Sequence, residues 1–158
     1  MEIKTAIEKA QQNEDVKQLH DYFPGSCFAC IKKAGEEVKD WTLLYYDPKT
    51  DKAIDVFVNE KFVTVSKETR PVNKIKKPDF SDLKITIGHA LEIAQNNFTR
   101  STINILITLH KKDELVWTIN MIGVDLSVIT YDIDAKTGKI VHEESASLIR
   151  KLDKNDPL

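Results

Sequence analysis

Two stretches of the chain place apolar residues at the spacing of one helix face. Within each stretch these residues recur at i, i+3, i+4 and i+7, which lines one side of an α-helix. We predict a helix over residues 3–12, extended by further apolar positions until Phe23-Pro24-Gly25 stops it. We predict a second helix from residue 87, with Thr86 as its N-cap. The two stripes consist of Ile3, Ala6, Ile7 and Ala10 and of Ile87, Ala90, Leu91 and Ala94.

Strand-like sequence follows each predicted helix. Apolar and polar residues alternate there with a period of two, which is typical of half-buried β-strands. Polar and glycine-containing turns separate the strands, as expected of neighbouring antiparallel strands. The fold class is therefore α+β, with two repeats of a helix packed on an antiparallel β-meander. The predicted strands cover residues 28–33, 41–46, 53–58 and 62–66 in the first half and 103–109, 115–122, 126–133 and 139–143 in the second.

Two kinds of internal similarity indicate a duplication. The helical segments resemble each other, and so do two loops of the form Asp-x-Lys-Thr-x-Lys at 47–52 and 134–139. Gly138 suits the left-handed backbone conformation that closes such a loop. Aligning the helices and the loops gives one register between the halves, whereas aligning Trp41 with Trp117 gives another. We follow the helices and the loops, because these two agree to within a few residues.

The division into domains follows from this alignment. The first repeat covers residues 1–68 and the second covers residues 81–158, including a short final helix over 145–152. Residues 69–80 contain two prolines and four basic side chains, which favours an extended linker. This basic run fits either a solvated linker or a contact with an acidic partner.

The second half resembles a PepSY domain. The resemblance rests on the helical stripe, on Trp117 and on the run Tyr131-Asp132-Ile133-Asp134-Ala135 with Thr137-Gly138-Lys139-Ile140. It covers residues 85–143, and it reaches 3–66 only through the helix and the Lys-Thr loop, where Pro48 and Asp51 replace the usual Ala and Gly. The resemblance implies a cystatin-like fold, often in tandem. It also implies a non-catalytic role in binding or inhibiting partners, peptidases among them, at or outside the cell envelope.

Composition narrows the class of protein further. The hydrophobic fraction of 41% and the charged fraction of 30% are typical of a soluble globular chain. A net charge of −2 gives no bulk attraction for nucleic acid, which we do not expect as a partner. No apolar run approaches the roughly 20 residues of a membrane helix, so we expect no membrane insertion. The chain as it stands indicates a cytoplasmic protein, and removal of a leader would make it secreted or envelope-associated.

Cys27 and Cys30 form the sharpest chemical motif. A Cys-x-x-Cys pair serves as a redox dithiol or as half of a zinc site. The strand predicted over 28–33 places the two thiols on opposite faces, which favours two structural thiols. Zinc would need two more ligands, and the histidines are scattered without a paired spacing, at His20, His89, His110 and His142. The redox and metal readings stay open as alternatives, and we assign no metal or cofactor.

Two further groups of residues each have a structural and a functional interpretation. Trp41, Tyr45 and Tyr46 lie on one predicted strand and suit either a recognition surface or the core. Alternation places Tyr46 on the face opposite to the other two. Asp132 and Asp134 have the spacing of calcium ligands, but the following glycine falls at the wrong place and the pattern favours a hairpin.

No catalytic motif is present in the sequence, so we predict no catalytic residue and no enzyme activity. The leading hypothesis is a non-catalytic module that binds an unidentified protein or peptide, with a peptidase inhibitor or regulator as its specific form. Exposed sheet edges would accept a partner strand or form a homodimer. The alternatives are a small thiol oxidoreductase that uses Cys27 and Cys30 and a small-ligand binder with its pocket between helix and sheet.

Overall fold

An eight-stranded antiparallel sheet forms the body of the protein in the computed structural model, which describes residues 1–149. The strands follow the order β4-β3-β2-β1-β5-β6-β7-β8, so the first strand of each half lies at the centre. A 3-10 turn, Phe80–Asp82, precedes the helix Ile87–Asn97. The helices are α1 (Ile3–Gln12), α2 (Glu14–Lys17) and α3 (Ile87–Asn97), and the strands are β1 (Phe23–Ile31), β2 (Trp41–Asp47), β3 (Lys52–Val58), β4 (Val63–Thr69), β5 (Thr102–Lys111), β6 (Leu115–Gly123), β7 (Ser127–Asp134) and β8 (Ile140–Ser147).

The helix predictions hold for α1 and α3. The Thr86 hydroxyl accepts a hydrogen bond of 3.1 Å from the backbone N–H of His89, which is the predicted N-cap. The predicted extension of the first helix is wrong. Asn13 adopts extended backbone geometry, and its side chain accepts hydrogen bonds from the N–H groups of Asp15 and Val16. This cap ends α1 and starts the separate single-turn helix α2.

The two largest differences from the predicted strand boundaries are in β1 and β8. β1 begins at Phe23 rather than at residue 28, and a register shift between Pro24 and Ser26 accommodates the proline in the strand. β8 runs to Ser147, whereas the sequence predicted that a final helix would begin at residue 145 and end at residue 152. Pairing with β7 therefore overrides helix propensity over 145–147. Residues 148–149 are helical, as predicted, and residues 150–152 lie outside the described residues.

Both halves of the chain contribute to one hydrophobic core. Helices α1 and α3 cover the same face of the sheet, and both predicted apolar stripes are buried. Four alanines on these stripes are completely inaccessible to solvent, which lets the helices approach the sheet closely. They are Ala6, Ala10, Ala90 and Ala94.

The two tryptophans occupy corresponding places in the two halves. Trp41 lies on β2 and Trp117 on β6, the second strand of each half. The indole Nε1 of Trp41 donates to the carbonyl of Met1, and that of Trp117 donates to the carbonyl of Ile85, both over 2.9 Å. Each acceptor lies two residues before the first residue of a helix. Trp41 and Trp117 therefore hold equivalent positions relative to the strands and to the segments that lead into α1 and α3.

The alignment of the two Lys-Thr loops is wrong. Loop 47–52 connects the second and third strands of its half, whereas loop 134–139 connects the third and fourth. Their similarity reflects shared turn chemistry. The carboxylate of Asp47 accepts from the N–H of Lys49 over 2.9 Å, and that of Asp134 accepts from the N–H of Lys136 over 2.8 Å.

Candidate functional site

The face of the sheet turned away from α1 and α3, here called the open face, carries the candidate site. Strand register aligns one residue from each strand in a row across this face. The row contains aromatic, hydroxyl and charged side chains, and its two halves differ in character. From β4 to β8 it reads Thr64, Phe57, Thr42, Phe28, Thr108, Thr118, Asp132 and His142.

The first half of the row carries two aromatic rings and no charged side chain. Phe28 and Phe57 are each 42% exposed, although large aromatic side chains are usually well buried. Both residues pair with Thr42 on β2, so the two rings lie on β1 and β3, on either side of β2 and on the same face. An exposed aromatic pair of this kind provides contact area for a partner.

A hydrogen-bonded network of four side chains is centred on Thr118 and Asp132, in the second half of the row. Lys112 Nζ donates to Asp132 Oδ2 over 2.6 Å, and Thr118 Oγ1 donates to Asp132 Oδ1 over 2.6 Å. His110 Nε2 lies 2.8 Å from Thr118 Oγ1. The Asp132 side chain is only 3% exposed. A buried carboxylate with this set of partners is a fixed negative charge on the open face.

The network shifts the pKa values of two of its members. Burial opposes ionisation of Asp132, but the hydrogen bonds from Lys112 and Thr118 and the charge of Lys112 outweigh it and lower the pKa of Asp132. Burial and the charge of Lys112 lower the pKa of His110, against a smaller opposing contribution from Asp132. At neutral pH the network therefore contains an ionised aspartate, a charged lysine and a neutral histidine.

Two cavities of opposite charge border the network. The linker cavity, about 440 Å³, lies between residues 73–76 and the ends of β1 and β5, and lysines from both sides line it. The hairpin cavity, about 390 Å³, is lined by Asp132 and Asp134 with Val116 and Val141 among its apolar residues. Lys112 lines both cavities.

The linker is held against the open face. Ile75 packs so closely on Gly25 that a side chain at Gly25 would collide with it. Lys77 Nζ lies 5.7 Å from the centre of the Phe23 ring, and Lys76 Nζ donates to the carbonyl of Lys112 over 3.2 Å. The linker therefore forms one wall of a cavity.

The structure does not bring Cys27 and Cys30 together. Both are free thiols on β1, with Cys27 buried in the core and Cys30 exposed, its Sγ 2.9 Å from Asn104 Oδ1. Burial raises the pKa of Cys27, which keeps it protonated. The thiols lie on opposite faces of the sheet, so this geometry provides no dithiol site.

Trp41, Tyr45 and Tyr46 do not form a recognition surface. Their exposed fractions are 1%, 4% and 1%. Trp41 and Tyr45 belong to the core beneath the helices, whereas Tyr46 packs edge-on against Phe23, with its hydroxyl donating to Asp51 over 2.6 Å. These aromatics are structural, and the exposed aromatics of the sheet are Phe28 and Phe57 instead.

Sequence reasoning missed His110, Lys112 and Thr118. Their signal is weak, because three ordinary polar residues on separate strands show no motif. Once the register is known, Thr118 faces Asp132 across β6 and β7, and His110 lies on the neighbouring strand β5. Asp132 was noticed for its spacing to Asp134 and as part of the run 131–135 that carries the family resemblance, but not as a member of this network. Within residues 1–149 no group of three His, Cys, Asp or Glu side chains has a metal-binding arrangement.

Comparison with known protein families gives a match to the second half of the chain. Residues 84–144 match the PepSY family, described as "Peptidase propeptide and YPEB domain", which confirms the resemblance seen in the sequence. Neither the curated proteins nor the solved structures contain a match. The matched segment contains α3 and His110, Lys112, Thr118 and Asp132, whereas Phe28 and Phe57 lie outside it. In the described part of the chain, no helix is long and apolar enough to cross a membrane.

Proposed function

We propose that the protein is a non-catalytic module that binds another protein through the open face of its sheet. The observation that carries this proposal is the aligned pair of exposed rings, Phe28 and Phe57, each 42% exposed. Aromatic side chains supply most of the binding free energy in many protein interfaces because they bury a large area with few rotatable bonds. The partner of this proposal is a folded protein that presents an extended segment across these two rings.

The proposal includes a tandem architecture of two PepSY-like units, at 1–68 and 81–158, joined by the linker 69–80. Each half contains a main helix followed by four antiparallel strands. The corresponding hydrogen bonds of Trp41 and Trp117 support a common origin of the two halves. The first unit has diverged from the family pattern, and Phe28 and Phe57 belong to it. We therefore assign binding to the first unit.

A peptidase is the class of partner that the family description suggests. In this proposal the protein regulates or inhibits the peptidase without hydrolysing anything itself, and the two meet at or outside the cell envelope. The outer strands β4 and β8 each pair on one side only within the described residues. Strand addition at these edges supplies a second contact with the partner or joins two copies of the chain.

The test measures how the protein affects three peptidases of different classes, thermolysin, subtilisin and papain, with a small peptide substrate. We expect saturable inhibition or a stable complex by native mass spectrometry with at least one of them. Phe28→Ser or Phe57→Ser should weaken that complex by about tenfold or more, as expected for interface hot spots. Phe62→Ser is the matched control, because Phe62 is 55% exposed but lies outside the row.

Several outcomes distinguish the parts of this proposal. Equal weakening by Phe62→Ser would contradict the open face as the binding surface. Absence of both inhibition and complex formation with all three enzymes would contradict a peptidase partner of these classes. Sedimentation velocity at several protein concentrations tests the homodimer, which predicts a sedimentation coefficient that rises with concentration.

A further inference from the structure

Two lysine-rich segments that are distant in sequence meet at the linker cavity. Lys74 and Lys76 come from the linker, and Lys111 and Lys112 come from the end of β5 and the turn that follows it. The chain as a whole carries a net charge of −2. This positive patch is therefore a local feature that opposes the overall charge.

Only part of this positive charge is balanced. Lys112 is paired with Asp132, whereas neither Lys74 nor Lys111 takes part in an ion pair among residues 1–149. Asp113 is the carboxylate among the residues that line the cavity. Asp79 lies near Lys111, whose charge adds to the hydrogen bonds from Ser81 that lower the pKa of Asp79. The lysines outnumber these carboxylates, so the site attracts anions.

Neutral hydrogen-bond donors complete the lining. Ser26, Thr108 and Asn73 line the same cavity as His110. The Thr118 hydroxyl donates its hydrogen bond to Asp132. Its oxygen is therefore left to accept a hydrogen bond from the Nε2–H of His110. The neutral His110 ring then keeps its lone pair on Nδ1, which takes up a proton when the ring becomes charged.

We propose that the linker cavity binds a small molecule carrying at least two anionic groups, phosphate or carboxylate. Its volume of about 440 Å³ lies within the roughly 300–1,000 Å³ of small-molecule sites. Lysines on the linker wall and on the sheet wall each pair with one anionic group of the ligand. The ligand thereby bridges the linker to the sheet, and the anchors at Ile75 and Lys77 keep the linker wall in place beforehand.

The test uses isothermal titration calorimetry of the full chain at constant ionic strength, with tripolyphosphate and citrate as separate probes. We expect saturable 1:1 binding of at least one probe. Lys74→Gln combined with Lys111→Gln should weaken it by tenfold or more. The control combines Lys61→Gln with Lys139→Gln, which removes the same charge from exposed positions outside the cavity. Preference for one probe identifies the anionic group.

The pH dependence gives a second readout. His110 is surrounded by Thr118 and Asp132 from the sheet, Lys111, Lys112 and Asp113 at the end of its own hairpin, and Lys74 and Lys76 from the linker. A bound anion favours protonated His110, which adds to affinity as pH falls from 8 to 6, whereas protonation of the probes themselves lowers it. His110→Gln should lose only the first contribution, so the affinity of the wild-type protein relative to the variant should rise as pH falls.

Three results would overturn the assignment. The first is the absence of binding for both probes. The second is an equal loss of affinity in the control double variant, which would attribute binding to total charge. The third is tighter binding of a ten-residue polyglutamate than of either probe, which would assign the cavity to an acidic protein segment.

Discussion

Trp41 and Trp117 pack against each other across the junction between the two halves of the chain. Their ring centres are 6.2 Å apart, and their planes are inclined by 43°. Each indole also holds the segment that leads into a helix. The pair therefore joins both helices and both halves of the sheet at one point. The two halves share a single hydrophobic core.

The tryptophan pair predicts cooperative unfolding of the whole described chain. Trp117→Phe removes the indole donor from the partly buried carbonyl of Ile85 and opens space in the core. Loss of this hydrogen bond alone costs ~0.5–1.5 kcal/mol, and the lost packing adds to it. In urea, the free energy of unfolding should fall by at least that amount, with circular dichroism and fluorescence still giving one coincident transition. Two separate transitions in the wild-type protein would contradict a shared core.

Gly138 and Gly88 should respond to alanine with opposite signs. Gly138 has a φ of +80°, where an L side chain is strained, so Gly138→Ala should destabilise the protein by ~1–2 kcal/mol. Gly88 lies in α3, and its nearest neighbour would be 3.9 Å from an added Cβ, so Gly88→Ala should stabilise by ~0.5–1 kcal/mol. Thermal unfolding of both variants checks the pair. Equal changes in stability for the two variants would contradict the strain expected at the positive φ of Gly138.

Much of the fold follows from local sequence patterns. The helical stripes and the strand alternation depend on neighbouring residues, and so do the Thr86 cap and the Gly138 turn. The prediction was wrong where two segments share the same turn chemistry but occupy different places in the topology. Loops 47–52 and 134–139 look alike because both use an aspartate to cap a turn, although they join different strands. The tryptophans lie on corresponding strands of the two halves, but this correspondence becomes visible only through tertiary hydrogen bonds.

The candidate site was much harder to predict than the fold. Thr118 and Asp132 become neighbours only through the register of β6 and β7, and His110 joins them through that of β5. The linker cavity requires residues 73–76 to lie across β1, which composition cannot indicate. The aromatic strand failed as a recognition surface because burial depends on what covers each face. Trp41 and Tyr45 lie under the helices, whereas Phe28 is left exposed.

His110 should make the stability of the protein depend on pH. Its pKa is lowered in the folded state, so the unfolded chain binds a proton more readily. Stability should therefore be greatest above the unfolded pKa of ~6.5, decline as pH falls below it, and level off below the lowered folded pKa. His110→Gln should remove this decline between pH 7 and 5, whereas His89→Gln on α3 should retain it. Urea unfolding at a series of pH values measures both.

Asp132 should produce a separate acid transition. Its folded pKa is lowered, so the stabilisation that it gives is present above the unfolded pKa of ~3.9 and is lost as pH falls through the folded value. Asp132→Asn should weaken the protein at neutral pH, because Lys112 loses its charged partner, and should reduce the loss of stability between pH 4 and 2. Asp113→Asn changes the same charge on the neighbouring turn and serves as the control. An equal response of both variants would contradict a special role of the buried carboxylate.

The two cysteines should differ sharply in reactivity towards a thiol reagent such as 5,5′-dithiobis(2-nitrobenzoic acid). Cys30 is exposed on the open face and should react in the native protein. Cys27 is inaccessible to solvent, and its pKa is raised by burial, so it should react only after unfolding. We expect one equivalent of reagent consumed in buffer and two in denaturant, with Cys30→Ser abolishing the native reaction. Rapid consumption of two equivalents in buffer, or a Cys27–Cys30 disulfide under mild oxidation, would require β1 to open and would restore the dithiol hypothesis.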